Sequence, residues 1–200
     1  AASAGGTDID SFFGGIYWKR DYGSHRIHAA FVAGASDNTV MRNVGGGTAR
    51  GEYDGFFYAP SITVSAPVDL LRSPLFVSGR ASYVGLDLDG YTETGIMNPL
   101  TIGGRTVSVV TLRGQLSLPQ VKEHDDGAHT HLNWSLGLDS TIDAGSDNVN
   151  AVVAATPFGF STETVDNTSI FAGLSVTHTS ADGARSITFA GEAQSDLNGG

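Results

Sequence analysis

The chain has 200 residues, which is enough for one domain and little more. Its 27 glycines and 6 prolines point to many tight turns, and the absence of cysteine excludes a disulfide scaffold. A formal charge of -10, with lysine only at Lys19 and Lys122, argues against a nucleic-acid partner, and no apolar run approaches the roughly 18 residues of a membrane-spanning helix.

In chain order, residues 1–10 read as a flexible N-terminal segment of a single domain spanning 1–200. Three candidate strands follow: FFGGIYWKR from Phe12, HRIHAAFVAGA from His25 and GEYDGFFYAPSITVSA from Gly51. In PLFVSGRASYV, Leu75, Val77, Ala81 and Tyr83 alternate with Ser78, Arg80 and Ser82. Past Gly85 the phase reverses, because Leu86 and Leu88 now alternate with Asp87 and Asp89, and a bulge near Gly85 is expected. VTLRGQLSL sets Leu112, Leu116 and Leu118 against Thr111, Arg113, Gln115 and Ser117. THLNWSLGLDSTID is the clearest case: Leu132, Trp134, Leu136, Leu138 and Ile142 interleave with His131, Asn133, Ser135 and Asp139.

VNAVVAATPFGF, from Val149, is less periodic and fits a long loop. Further on, Ile170, Ala172, Leu174 and Val176 oppose Ser169, Gly173, Ser175 and Thr177, with Phe171 interrupting the alternation. Finally Ile187 and Phe189 oppose Thr188, Glu192, Gln194 and Asp196. No segment combines a helical period with caps. The chain therefore reads as all-β and antiparallel, with about eight strands.

The connections alternate in length. DYGS, PVDLLRS and ADGA are short, whereas Ser36 to Thr48, Asp89 to Gly104 and Ala144 to Asn167 are long; PQVKEHDDGAHT is longer than its place in the alternation requires. Turns at one end and loops at the other are what transmembrane β-barrels show. The faces point the same way. A soluble sheet usually carries Lys and Glu on its wet face, but these polar faces hold Ser, Thr, Asn, Gln and Gly with isolated Arg and Asp, which suits a water-filled or plugged lumen. Tyr17, Trp18, Phe56, Phe57, Tyr58 and Tyr91, near strand ends, suit interface girdles. The expected lumen-facing residues are Arg80, Arg113, Gln115, Asn133, Asp139, Glu192 and Gln194. The expected lipid-facing residues are Leu132, Trp134, Leu136, Leu138, Ile187 and Phe189. A secreted soluble all-β binding or adhesion domain, with the apolar face turned inward, is the alternative.

The order of local signatures adds a resemblance. FFGGIYWKRDYGSHRIHAAFVAGASDNTVMRNV, ARGEYDGFFYAPSITVSAPVDL, YVGLDLDGYTETG and LTIGGRTVSVVTLRGQLSLP together resemble the autotransporter (type V secretion) β-domain, in its alphaproteobacterial type. The stretch Tyr83 to Glu93 is the most specific element, and the resemblance runs from about Phe12 to Asn198. It implies an up-and-down outer-membrane barrel of roughly twelve strands, about eight or nine of them present here. The first strands and the closing C-terminal strand would then lie outside this sequence. It also implies outer-membrane lipid, the protein's own passenger segment and the barrel-assembly machinery as partners, with export of an N-terminal passenger as the function.

Chemistry is sparse. In HDDGAHTH, His124, Asp126, His129 and His131 form a candidate divalent-cation set, against the plainer reading of a polar turn; the expectation is no metal. GLDLDGYTE fails as a calcium loop, since Gly85 and Ile96 occupy its anchor positions, and GGGTARG lacks the third glycine of a dinucleotide fingerprint. No Gly-x-Ser-x-Gly elbow is present. The expectation is a protein without catalytic activity or cofactor.

Overall fold

The alternating segments become eight long strands of one antiparallel sheet, and the less periodic connections contribute four short strands of a second. A computed structural model describes residues 5–45, 47–70, 73–145, 148–161 and 166–197. In chain order the strands are β1 (Gly6–Tyr22), β2 (His25–Val44), β3 (Gly47–Leu70), β4 (Ser73–Leu88), β5 (Tyr91–Thr92), β6 (Leu100–Ile102), β7 (Arg105–Glu123), β8 (His129–Asp143), β9 (Asn148–Val153), β10 (Thr156–Ser161), β11 (Asn167–Thr179) and β12 (Ser186–Asp196). The described residues contain no helix.

The larger sheet is a meander in the order β1-β2-β3-β4-β7-β8-β11-β12, and the smaller has the order β10-β9-β6-β5. Among the described residues, β1 and β12 each pair on one side only. Residues 6–10, expected to be a flexible lead, are instead part of β1 and pair with Met41 to Asp37. Residues 1–4 lie outside the described residues.

All short connections fall at one end of the meander. Gly23 and Ser24 join β1 to β2, His124 to Ala128 join β7 to β8, and Ser180 to Arg185 join β11 to β12. Gly23, Gly127 and Gly183 supply the left-handed backbone these turns need, at φ 59, 83 and 69. The PQVKEHDDGAHT stretch keeps to the alternation after all, because β7 runs on to Glu123 and only five residues remain between the strands.

The long connections fall at the other end. The stretch Ser36 to Thr48, expected as a loop, is almost entirely strand: β2 and β3 stay paired as far as Val44 opposite Gly47. Its polar residues hid a strand because backbone pairing does not require an apolar face. The β4–β7 connection carries β5 and β6, the β8–β11 connection carries β9 and β10, and β6 pairs with β9 to join the two.

Residues directly opposite in an antiparallel pair share a face, so register sorts the whole sheet. One face carries Arg80, Arg113, Asp139, Phe171 and Gln194; the other carries Ala81, Leu112, Leu138, Ile170 and Ala193. No bulge occurs at Gly85. It pairs with Tyr58 on one side and Ser108 on the other, in the register that holds from Phe76 to Leu88. The change in sequence phase is a change in what each face meets. Beyond Gly85 the outer face turns acidic at Asp87 and Asp54, while Leu88 turns inward towards Gly55 and the buried Asn38.

Phe56, Tyr58 and Tyr83 mark that boundary, with ring centroids 6.1 and 5.5 Å apart and the two tyrosine hydroxyls 3.3 Å apart. Three other rings expected in a girdle sit on the opposite face: Phe57 covers Gly34, Tyr91 covers Gly51, and Tyr17 meets His28 edge-on at 6.2 Å.

Candidate functional site

Large apolar side chains crowd the exposed face. Trp134, Leu136 and Leu138 are each about half exposed, Ile187 is 59% and Phe189 73% exposed, and Leu132 is half-buried. On the adjoining strands Leu112, Leu116, Ile170 and Leu174 are exposed as well. A soluble sheet would bury these groups, so the reading with the apolar face as a core is corrected: the side chains that pack closely belong to the polar face.

That packing centres on Arg113. It stands on β7 opposite Asp139 of β8 and crosses the sheet towards β12. Its Nη1 donates to Asp139 Oδ2 at 3.2 Å and its Nη2 to Glu192 Oε2 at 2.5 Å. Between them lies Phe171, the residue that interrupts the β11 alternation, with its ring centroid 3.7 Å from the guanidinium carbon. Such a cation over a ring contributes about 0.5–2 kcal/mol, more as water is excluded.

Phe171 is 1% exposed because its ring lies over Gly137, its cross-strand partner. A Cβ at Gly137 would sit 2.5 Å from Phe171 Cζ, so no other residue fits there with the ring in place. Gln194 joins the group by donating to Ser169 Oγ at 2.5 Å, and Ser169 in turn donates to the Asp139 carbonyl at 3.4 Å.

Of the expected polar set, Arg113, Asp139, Glu192 and Gln194 are thus brought together, and Phe171 and Ser169 are additions. Gln115 shares their face but bonds locally to Ser117 Oγ at 2.7 Å. Asn133 lines an open polar cleft with Gln115, Ser135, Gly173, Ser175 and Glu192. Arg80 lies opposite Arg113, exposed, and forms no ion pair among the described residues. One guanidinium shared by two carboxylates leaves a net negative charge, which Arg80 offsets.

The side chains of the imidazole-rich turn divide into separate contacts. His124 Nε2 lies 2.8 Å from Thr130 Oγ1, which is also 3.0 Å from Nδ1 of His178 on β11. His129 and His131 form a separate edge-on pair at 5.1 Å, and Asp126 accepts the Ala128 N–H. Among the described residues no group of three or more His, Cys, Asp or Glu is placed to hold a metal.

A second assembly, which composition did not reveal, joins the two sheets. Glu93, at the end of the GYTE stretch, is buried and takes a bidentate pair from Arg42 of β2: Nε to Oε1 at 3.0 Å and Nη2 to Oε2 at 2.6 Å. The Leu100 N–H also donates to Glu93 Oε2 at 3.0 Å. The Arg42 hydrogen bonds hold the Glu93 carboxyl below its ordinary pKa, against the opposing effect of burial. Tyr91 lies on Gly51 and stacks on Tyr53 at 5.1 Å.

A one-sheet antiparallel meander with exposed leucines outside, an ion-pair network on the other face, and turns and long connections at opposite ends defines a membrane-type β-barrel wall. The autotransporter β-domain family model matches residues 1–186, and the chain belongs to that family. Its fold is similar to that of the translocator domain of the autotransporter NalP from Neisseria meningitidis, with a TM-score of 0.51 and 22% identity over 95% of this chain. The chain spans 62% of that relative's length. No curated protein matches. This is therefore an all-β, antiparallel β-domain of the bacterial outer membrane.

Proposed function

We propose that the chain forms most of the wall of an outer-membrane translocator that anchors an N-terminal passenger and assists its export. The observation that carries this reading is the inversion of the sheet. Half-exposed leucines and aromatics face outward, where lipid would cover them, and the Arg113, Asp139 and Glu192 network faces inward. Arg80, Gln115, Asn133 and Gln194 then line a hydrated path. Among the described residues β1 and β12 each pair on one side only, and hydrocarbon requires every backbone group to be paired, so this reading requires closure of the wall at those two strands. Assembly of such a barrel calls on the cell's barrel-assembly machinery.

The interior does this without catalysis or a cofactor. Both carboxylates of the cluster are committed to Arg113, and their role is to hold four strands in place while keeping the path polar. Protease treatment of whole cells carrying the parent protein tests the proposal. Cleavage of the segment preceding residue 1 from outside is expected. Full protection of that segment, with the barrel folded in the membrane, would refute export.

A further inference from the structure

Register sorts the charged side chains of the outward face as well as its apolar ones. At the long-connection end that face carries Asp8 and Asp10 of β1, Asp37 of β2, Glu52 and Asp54 of β3 and Asp87 of β4. Arg50, outward among them, is paired with Glu52 at 2.7 Å. At the turn end the sign is reversed. Arg20 of β1 and Lys122 of β7 occupy outward strand positions there with His25 and His178, and among the described residues no carboxylate shares those positions. The short turns of an outer-membrane barrel face the periplasm, so these cations flank the periplasmic leaflet.

The turn-end groups gather between β7 and β11. Lys122, Thr130 and His178 stand directly opposite one another in one outward row, with neighbouring Cβ atoms about 5 Å apart. His124 folds back onto this row: its Nε2 lies 2.8 Å from Thr130 Oγ1, which is 3.0 Å from His178 Nδ1, and the two rings meet edge-on with centroids 5.6 Å apart. A hydroxyl has one proton, so between neutral imidazoles Thr130 donates to one ring and accepts from the other. The ring that accepts through one nitrogen carries its N–H on the other, and that N–H has no protein partner among the described residues. Lys122 likewise forms no ion pair among the described residues. The nearby turn carboxylates are turned inward to their own loops: Asp126 accepts the Ala128 N–H, and Asp182 accepts from Ser180 Oγ and the Ala184 N–H.

The outward rows that follow are Gln120, Leu132 and Val176, then Leu118, Trp134 and Leu174. Unpaired donors thus stand where the apolar strip begins. We propose that Lys122, His124 and His178 form a headgroup site for an anionic phospholipid of the periplasmic leaflet. Lys122 supplies the charge, the free imidazole N–H donates to a phosphate oxygen, and Thr130 holds both rings in place. The acyl chains then lie along Trp134 and Leu136. The carboxylates at the other end repel the same headgroup, which confines the preference to one leaflet.

The inference rests on the barrel reading, and its test separates the two. Trp134, half exposed on the same face, reports which lipid lies beside it. The parent barrel is folded in phosphatidylcholine vesicles, with Trp18 and any tryptophan elsewhere in it changed to Phe. Chain-brominated phosphatidylglycerol or chain-brominated phosphatidylcholine is then added as quencher. The glycerol lipid should be preferred at Trp134 by about fivefold, as one cation beside anionic headgroups confers. Lys122→Gln with His178→Gln should abolish that preference, Lys122→Arg should keep it, and Arg50→Gln at the far end should leave it unchanged. Equal quenching by the two lipids in the native barrel, or a preference that survives Lys122→Gln with His178→Gln, would overturn the site. Loss of the preference on exchanging chloride for inorganic phosphate at equal ionic strength would show that free phosphate, not the lipid, is the ligand. No quenching by either brominated lipid would instead overturn the barrel reading itself.

Discussion

Placing an arginine at two consecutive residues gives opposite answers if the face assignment is right. Leu136 lies between Leu116 of β7 and Ala172 of β11, at the centre of the outward strip that runs from Leu132 to Ile142 on β8. That strip is eleven residues long, close to the 9–11 residues with which a tilted strand crosses hydrocarbon. Leu136→Arg therefore puts a cation near the midplane, where the cost is about 2–4 kcal/mol.

Ser135 points into the cleft it shares with Gln115, Asn133 and Glu192. There an added guanidinium stays wet and has a carboxylate in reach, so Ser135→Arg should cost under about 1 kcal/mol. The assay is equilibrium urea unfolding of the parent barrel folded in phospholipid vesicles, comparing midpoints at unchanged slope. Equal losses, or a larger loss for Ser135→Arg, would mean the faces are reversed and the leucines form a core.

Phe171→Ala removes a fully buried ring, uncovers Gly137 and strips Arg113 of its stacking partner, and the same unfolding curves should show a loss of about 3–5 kcal/mol; a loss below about 1 kcal/mol would refute the packing role. For Glu93, a folded pKa below the ordinary 4.5 means that its pairing with Arg42 stabilises the contact between the β2–β3 extension and the β4–β7 connection above that value, and that this is lost as the pH falls through the lower folded value. Hydrogen-exchange protection factors at the Glu93 and Leu100 amides should fall as the pH drops below about 4.5 in the native protein, whereas Arg42→Ala should show low protection already at neutral pH and lose that step.

The wall strands were legible because one period governs them. Trp134, Leu136 and Leu138 alternate with Asn133, Ser135 and Asp139 wherever a strand has lipid on one side and water on the other. Where neither side meets lipid the period disappears, and Ser36 to Thr48 passed for a loop although β2 and β3 stay paired as far as Val44 opposite Gly47. At Gly85 the period reversed without any irregularity of backbone, since the surroundings changed and the register did not.

Local patterns also cannot reveal contacts made across the sheet. Arg113, Asp139 and Glu192 were each readable as inward-facing, but their meeting over Phe171 depends on the pairing of β7, β8, β11 and β12. Phe171 did leave a signal, as a large ring among small polar residues. Arg42 and Glu93 left less, being 51 residues apart and joined only when two connections fold together.

The contact between Phe171 and Gly137 also bears on how the strands find their partners. A slip of one residue between β8 and β11 would be rejected by the alternation, since it turns every leucine inward. A slip of two residues keeps both faces chemically correct, and the amphipathic pattern alone cannot tell it from the native pairing. It would, however, set the Phe171 ring against Ser135 or Asp139, each with a Cβ where Gly137 offers open space. One missing side chain thus acts as a keyhole that distinguishes the native pairing from its nearest amphipathic imitation, and Arg113, closing over the ring, fastens it once β12 delivers Glu192.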